Sequence, residues 1–157
     1  MAKAWNISEA AAMALHTMVV LAGSSGMPLT ARAIAENLSG SEAHLSKVLQ
    51  RLARAGFVSS TRGPSGGFVL ARPPQDIIML EVLEAIDGPV GDVSCTQNPP
   101  VCDGKSCVFG QLVSMMNSQV QDYLGGIRLS ELEIQGLGRL IRLPPVEINP
   151  DRNGSAS

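Results

Sequence analysis

The chain has 157 residues, enough for one compact domain with a buried core and an appendage. Hydrophobic residues make up 45% but aromatics only 3%, so the core is aliphatic, which suits helices better than a β-sandwich. The net charge of -2 argues against a nucleic-acid binder until the chain is divided: residues 1–72 carry seven Lys/Arg against three acids, a net of +4, and residues 73–157 five against eleven, a net of -6.

Lys3 and the apolar run from Ala10 to Ala22 superficially resemble a secretory signal. Glu9 and His16 interrupt that pattern, and the run is too short to span a membrane. Leu15, Met18, Val19 and Ala22 follow helical spacing, so the run reads as a first helix, capped by Ser8 or Asn6. The expectation is a cytoplasmic protein, with its cysteines in a reducing compartment and no membrane partner.

Thr30 can cap a short helix over 31–38, whose Ala33, Ile34 and Leu38 share a face. Ser39 with Glu42 three residues on reads as the capping box of a second helix. Leu45, Val48, Leu49 and Leu52 form its apolar stripe, while His44, Lys47, Arg51 and Arg54 fall outside it, and Gly56 supplies the stop. Two β-prone runs, 57–61 and 67–70, flank the turn residues Arg62-Gly63-Pro64-Ser65-Gly66. A helix pair followed by a glycine-rich basic hairpin is the plan of a winged helix-turn-helix, whose second helix enters a DNA major groove. The candidate DNA contacts are Thr30, Ser41, His44, Ser46, Lys47 and Arg51, with Arg62 and Gly63 on the wing. The bland alternative is an αα-hairpin and a β-hairpin with an ordinary charged surface.

After Arg72-Pro73-Pro74 a helix is expected over about 77–86, burying Ile78, Val82, Leu83 and Ile86, and Asp87-Gly88-Pro89 ends it. Residues 88–107 are an aperiodic loop holding all three cysteines. From Val108, a run through Leu112, Val113, Met116, Val120, Tyr123, Leu124 and Ile127 predicts a helix of about 25 Å or more. With little of its own chain to cover it, that helix points to a homodimer presenting two recognition helices to a palindromic site in double-stranded DNA. Folding back onto its own domain is the alternative. Ser130 and Glu133 would cap one more short helix or turn, and the segment from Pro144 reads as a disordered tail.

Cys95, Cys102 and Cys107 have six and then four residues between them. That is not the C-x₂₋₄-C pairing of structural zinc, and no fourth local Cys or His stands nearby. Several thiolates on a Gly- and Pro-rich backbone suit an iron–sulfur cluster, with Lys105 and the start of the next helix stabilising the anions. A thiol redox switch or adventitious thiols follow closely on composition alone.

The segments ALHTMVVLA, LTARAIAENLSGSEAHLSKVLQRLARAGFVSS, RGPSGGFVLARP and LEVLEAIDGP, with three cysteines before a long helix, together resemble the Rrf2 family of bacterial transcription regulators. The resemblance spans roughly residues 5–135, and the RGPSGGFVLARP wing is its most specific part. It implies a homodimeric winged-helix repressor or activator whose DNA binding responds to assembly, oxidation or nitrosylation of a cluster. By position, Cys95, Cys102 and Cys107 match the family's three cluster cysteines. Members with a histidine three residues after the last cysteine would have it at Gly110. Others take a ligand from the partner subunit's first helix: the family's acid falls at Ala12, His16 falls at the histidine of a redox-sensing member, and Glu9 is a weaker candidate.

The sequence thus leads to a mainly α fold with a small β-hairpin, a winged helix-turn-helix plus a long dimerisation helix. Its parts are the DNA-binding domain (1–87), the cysteine loop (88–107), the dimerisation helix and a short C-terminal helix (108–136) and the tail (137–157). The expected function is operator binding controlled by a 2Fe–2S or 4Fe–4S cluster on Cys95, Cys102 and Cys107, with His16 as a metal ligand from the partner subunit. Alternatives are a clusterless thiol- or ligand-responsive repressor, a zinc-bound interaction module and a DNA-independent scaffold. An enzyme is disfavoured: there is no phosphate loop, no paired carboxylates in a periodic context and no nucleophile motif, and the wing explains GPSGG better than a nucleotide site does.

Overall fold

A computed structural model describes residues 7–91, 107, 109 and 111–132. The first helix, α1 (Glu9–Gly23), starts at Ser8, whose hydroxyl accepts the Ala11 N–H at 3.1 Å. Its buried side is Ala11, Ala14, Thr17, Met18, Val19 and Leu21, whereas Leu15 and Ala22 of the expected stripe are half-buried. The helix is apolar nearly all round, so spacing alone does not say which side turns inward. Small Ala11 and Ala14 let the neighbouring helices approach, and Thr17 is tolerated in the core because its hydroxyl donates to the Met13 carbonyl at 2.7 Å.

Helix α2 (Ala31–Leu38) is capped by Thr30, as expected, through the Ala33 N–H at 3.1 Å. The cap of the second helix is corrected by two residues. Ser39 closes α2 in a left-handed conformation (φ 50°), and Ser41 caps α3 (Glu42–Arg54), its hydroxyl accepting from His44 N–H. Both serines precede Glu42, Ser39 at the capping-box spacing and Ser41 directly. The tight link between the helices decides between them, because one residue must leave the helix in the left-handed region. The α3 stripe is as read: Leu45, Val48, Leu49 and Leu52 are all fully buried, each contributing about 2 kcal/mol of transfer free energy. Gly56 (φ 77°) turns the chain, and the Phe57 N–H donates back to the Leu52 carbonyl at 3.0 Å.

Strands β1 (Val58–Thr61) and β2 (Gly67–Leu70) form an antiparallel hairpin with Val58 opposite Leu70 and Thr61 opposite Gly67. Leu29 adds a one-residue bridge to Phe68, exchanging both backbone hydrogen bonds at 3.1 and 2.8 Å, and so fixes the wing to the start of α2. A 3-10 turn over Pro74–Asp76 leads to α4 (Met79–Asp87), which starts two residues later than the expected 77–86. Met79, Val82, Leu83 and Ile86 are buried; Ile78 instead bridges to Arg128 and is half-buried. The last long helix, α5 (Leu112–Gly125), begins four residues later than expected, so it is about 21 Å long. Val120, Tyr123 and Leu124 pack onto the core formed by α1, α3 and α4, while Phe109, Leu112 and Met115 are 43–49% exposed. The chain then returns through a 3-10 turn over Leu129–Glu131, started by Arg128 rather than Ser130, with the Arg128 N–H on the Glu131 carboxylate at 2.8 Å. Glu133, the expected partner of Ser130, and the proposed tail lie outside the described residues.

Candidate DNA interface and cysteine segment

The surface a duplex would meet is built from the starts of α2 and α3 and from the wing. Ser41 and Lys47 are exposed, Ser46 is half-buried, and Thr30 is exposed at the α2 start with its hydroxyl engaged as the cap. His44 Nδ1 stands 3.7 Å from the exposed Glu9 carboxylate, where the first turn of α3 comes near the first turn of α1. Among the described residues Lys47, Arg54 and Arg62 have no acidic partner, which leaves their charge for an anion. Arg32 differs: its Nε lies 2.9 Å from Glu36, whose hydrogen bond and charge raise the guanidinium pKa above its ordinary value. At the wing tip Arg62 and Gly63 are exposed, with Gly63 at φ 114°, and the Gly66 N–H closes the turn on the Gly63 carbonyl at 2.9 Å.

Arg51 is placed differently from the other candidates. It lies in the third turn of α3, and its guanidinium donates to the Ile86 carbonyl near the end of α4. Sequence reasoning also missed Asp87, which accepts from both the backbone N–H (2.9 Å) and the hydroxyl of Ser8. It missed Arg72, stacked 4.4 Å from the Phe57 ring centroid and 3.7 Å from Glu81, at the junction of wing and α4. None of these contacts has a local signal, since each joins distant segments.

Of the three cysteines, Cys107 is described: it is half-buried, its thiol is free, and it stands five residues before α5, so the helix start is farther along the chain than expected. Cys95, Cys102, Lys105 and Gly110 lie outside the described residues. Among the described residues no three His, Cys, Asp or Glu side chains group closely enough to hold a metal ion. His16 is exposed on α1, and its Nδ1 donates to the Ala12 carbonyl at 2.6 Å. A carbonyl can only accept, so in this contact Nδ1–H is the donor. That is how metal-ligating histidines are usually held. No described helix is long and apolar enough to cross a membrane.

A family model described as an iron-dependent transcriptional regulator, Rrf2, matches residues 7–133. The chain belongs to the Rrf2 family. It is a DNA-binding winged-helix transcription regulator rather than an enzyme. The regulator IscR of Xenorhabdus nematophila is 32% identical over 105 residues, covering 67% of this chain and 64% of that protein. Two solved structures are similar as folds. CymR, the global cysteine regulator of B. subtilis, aligns with a TM-score of 0.68 at 26% identity, over 81% of this chain and 95% of CymR. T. potens IscR aligns with a TM-score of 0.64 at 26% identity, over 81% of this chain and 85% of that one.

Proposed function

We propose that this Rrf2 protein binds a palindromic operator as a homodimer and that an iron–sulfur cluster on Cys95, Cys102 and Cys107 controls that binding. The observation that carries the DNA half is the unpaired charge of Lys47 on α3 and of Arg62 on the wing, which follows α3 through Gly56 and is fastened to the start of α2 by the Leu29–Phe68 bridge. Ser41, Ser46 and Lys47 face base edges and phosphates from the first half of α3, Thr30 and the α2 start meet backbone phosphate, and Arg62 and Gly63 follow the neighbouring groove. The exposed Phe109, Leu112 and Met115 support pairing of two copies along the first half of α5.

The donor set suits the cluster: three soft thiolates at non-zinc spacing, and a histidine whose ring is oriented by the Nδ1 hydrogen bond to the Ala12 carbonyl. Cys95, Cys102 and Cys107 would hold it, with His16 of the other copy as fourth ligand. When bound, such a cluster supplies sensitivity to iron supply, redox potential or nitric oxide. The likeness to CymR favours a second reading, a clusterless thiol-responsive regulator using the same fold.

Anaerobic purification followed by visible spectroscopy and iron and sulfide analysis separates the two. A brown protein with matched iron and sulfide is the expected result, and the ratio to protein distinguishes two-iron from four-iron clusters. A colourless protein that refuses reconstitution, and whose DNA binding changes on disulfide formation, would establish the thiol-responsive reading instead. Zinc as the sole metal would mean an interaction module.

A further inference from the structure

Residues 86–91, where α4 runs into the cysteine segment, are tied by side chains to all the neighbouring long helices. Arg51 of α3 donates to the Ile86 carbonyl. Asp87 holds Ser8 at the start of α1. The Glu84 carboxylate of α4 accepts the Val90 N–H at 3.0 Å. From α5, Gln121 donates to the Val90 carbonyl, and Asn117 donates to the Gly91 carbonyl at 3.0 Å. Asn117 is buried, and Ile86 is buried beneath the Arg51 contact. The last carbonyls of α4 and the backbone of 88–91, which has no regular secondary structure, must find partners, and water would suffice at a surface. Here the partners are side chains of α3, α4 and α5 instead.

We propose that this root is a coupling joint and that Arg51 is its positioning residue. A change in the cysteine loop that continues from this root pulls on the carbonyls of Val90 and Gly91, and through Ile86 it shifts α3. The proposal rests on the reading that the state of the cysteine segment controls DNA binding. It gives Arg51 a role other than the phosphate contact its position on α3 suggested. The same helix therefore carries two functions: its first half faces DNA, and its third turn is attached to the sensor. Gly88 (φ 86°) sits between the α3 and α5 attachments and supplies a backbone position with wide conformational freedom, so the joint can rotate without breaking α4. A coupling free energy of the common size corresponds to a change of about 5- to 150-fold in DNA affinity between states.

The test uses the full chain and a duplex selected from random sequence by the reduced, metal-free wild-type protein. Affinity is measured for that state and for protein reconstituted anaerobically with ferrous iron and sulfide, or oxidised to the disulfide where it takes up no iron, for wild type, Arg51→Met and Gln121→Leu, with thermal melting to verify folding. Wild type is expected to show a ratio between states within the range above. Arg51→Met is expected to bind the duplex in the reduced state within about threefold of wild type, with an unchanged salt slope, and to lose the ratio. Gln121→Leu, at the far end of the joint and away from DNA, is expected to lose the ratio too. Variants that keep the wild-type ratio overturn the coupling alone. A salt slope lowered in Arg51→Met makes Arg51 a phosphate contact and overturns the proposal. A wild-type ratio of one overturns the sensing reading together with the joint.

Discussion

Replacing Gly67 by alanine tests why the wing carries two consecutive glycines. A Cβ built on Gly67 would lie 2.6 Å from the Leu29 carbonyl oxygen and 2.7 Å from its carbon, both backbone atoms with little room to move. Leu29 is also the residue whose two hydrogen bonds to Phe68 fasten the wing to α2. Relief requires the strands to separate, which forfeits those two bonds at about 1 kcal/mol each and adds about 1–2 kcal/mol of residual strain. The expected destabilisation is about 3–4 kcal/mol, read by urea unfolding as a lower midpoint at unchanged slope. Because Arg62 rides on the displaced hairpin, the DNA salt slope should also fall, by about 0.9 for each phosphate that the wing no longer neutralises. Gly66 faces a similar obstacle, with its added Cβ 2.4 Å from the Thr61 carbonyl oxygen. A Gly67→Ala protein with wild-type midpoint and wild-type salt slope would refute the close-approach argument.

Lys47→Ala should weaken binding to all duplexes alike and lower the salt slope by about 0.9 per protomer, checked by fluorescence anisotropy over a salt series. Leu112→Glu should shift the protein toward monomer in sedimentation velocity without lowering the melting temperature of the isolated fold, because Leu112 is 49% exposed. Thr30→Ala removes the α2 cap and should cost about 1 kcal/mol by chemical denaturation. His16→Ala should leave reduced, metal-free DNA binding intact while lowering the iron and sulfide retained per protomer.

Much of the winged helix was legible because its information is local. The α3 stripe of Leu45, Val48, Leu49 and Leu52 contrasts sharply with the charged residues between them, so one face was determined. Thr30 before an alanine-rich segment, and Gly56 after Arg54, mark ends by chemistry that acts within a few residues. The misreadings share a different cause. In α1 the apolar residues surround the axis, and the choice of the Ala11–Ala14–Met18–Leu21 side was made by partners far along the chain. The capping-box spacing pointed to Ser39, and only the backbone geometry of the link moves the cap to Ser41. The α5 periodicity extended back to Val108, but the described helix starts at Leu112, where the Leu112 N–H turns onto the Phe109 carbonyl. For the candidate site, Lys47 and Arg62 were visible as basic residues at motif positions, whereas the attachment of Arg51 to Ile86 joins residues 35 apart and has no sequence signal.

Control of the winged helix by the cysteine segment is tested most directly by one affinity measurement. Protein carrying Cys95→Ala, Cys102→Ala and Cys107→Ala together is titrated against a selected duplex beside wild type, under anaerobic reconstituted, metal-free reduced and oxidised conditions. Wild-type affinity is expected to differ among these states, and the triple variant to hold one value throughout. A triple variant that follows the wild-type changes state by state, or a wild type that does not change, would contradict that control.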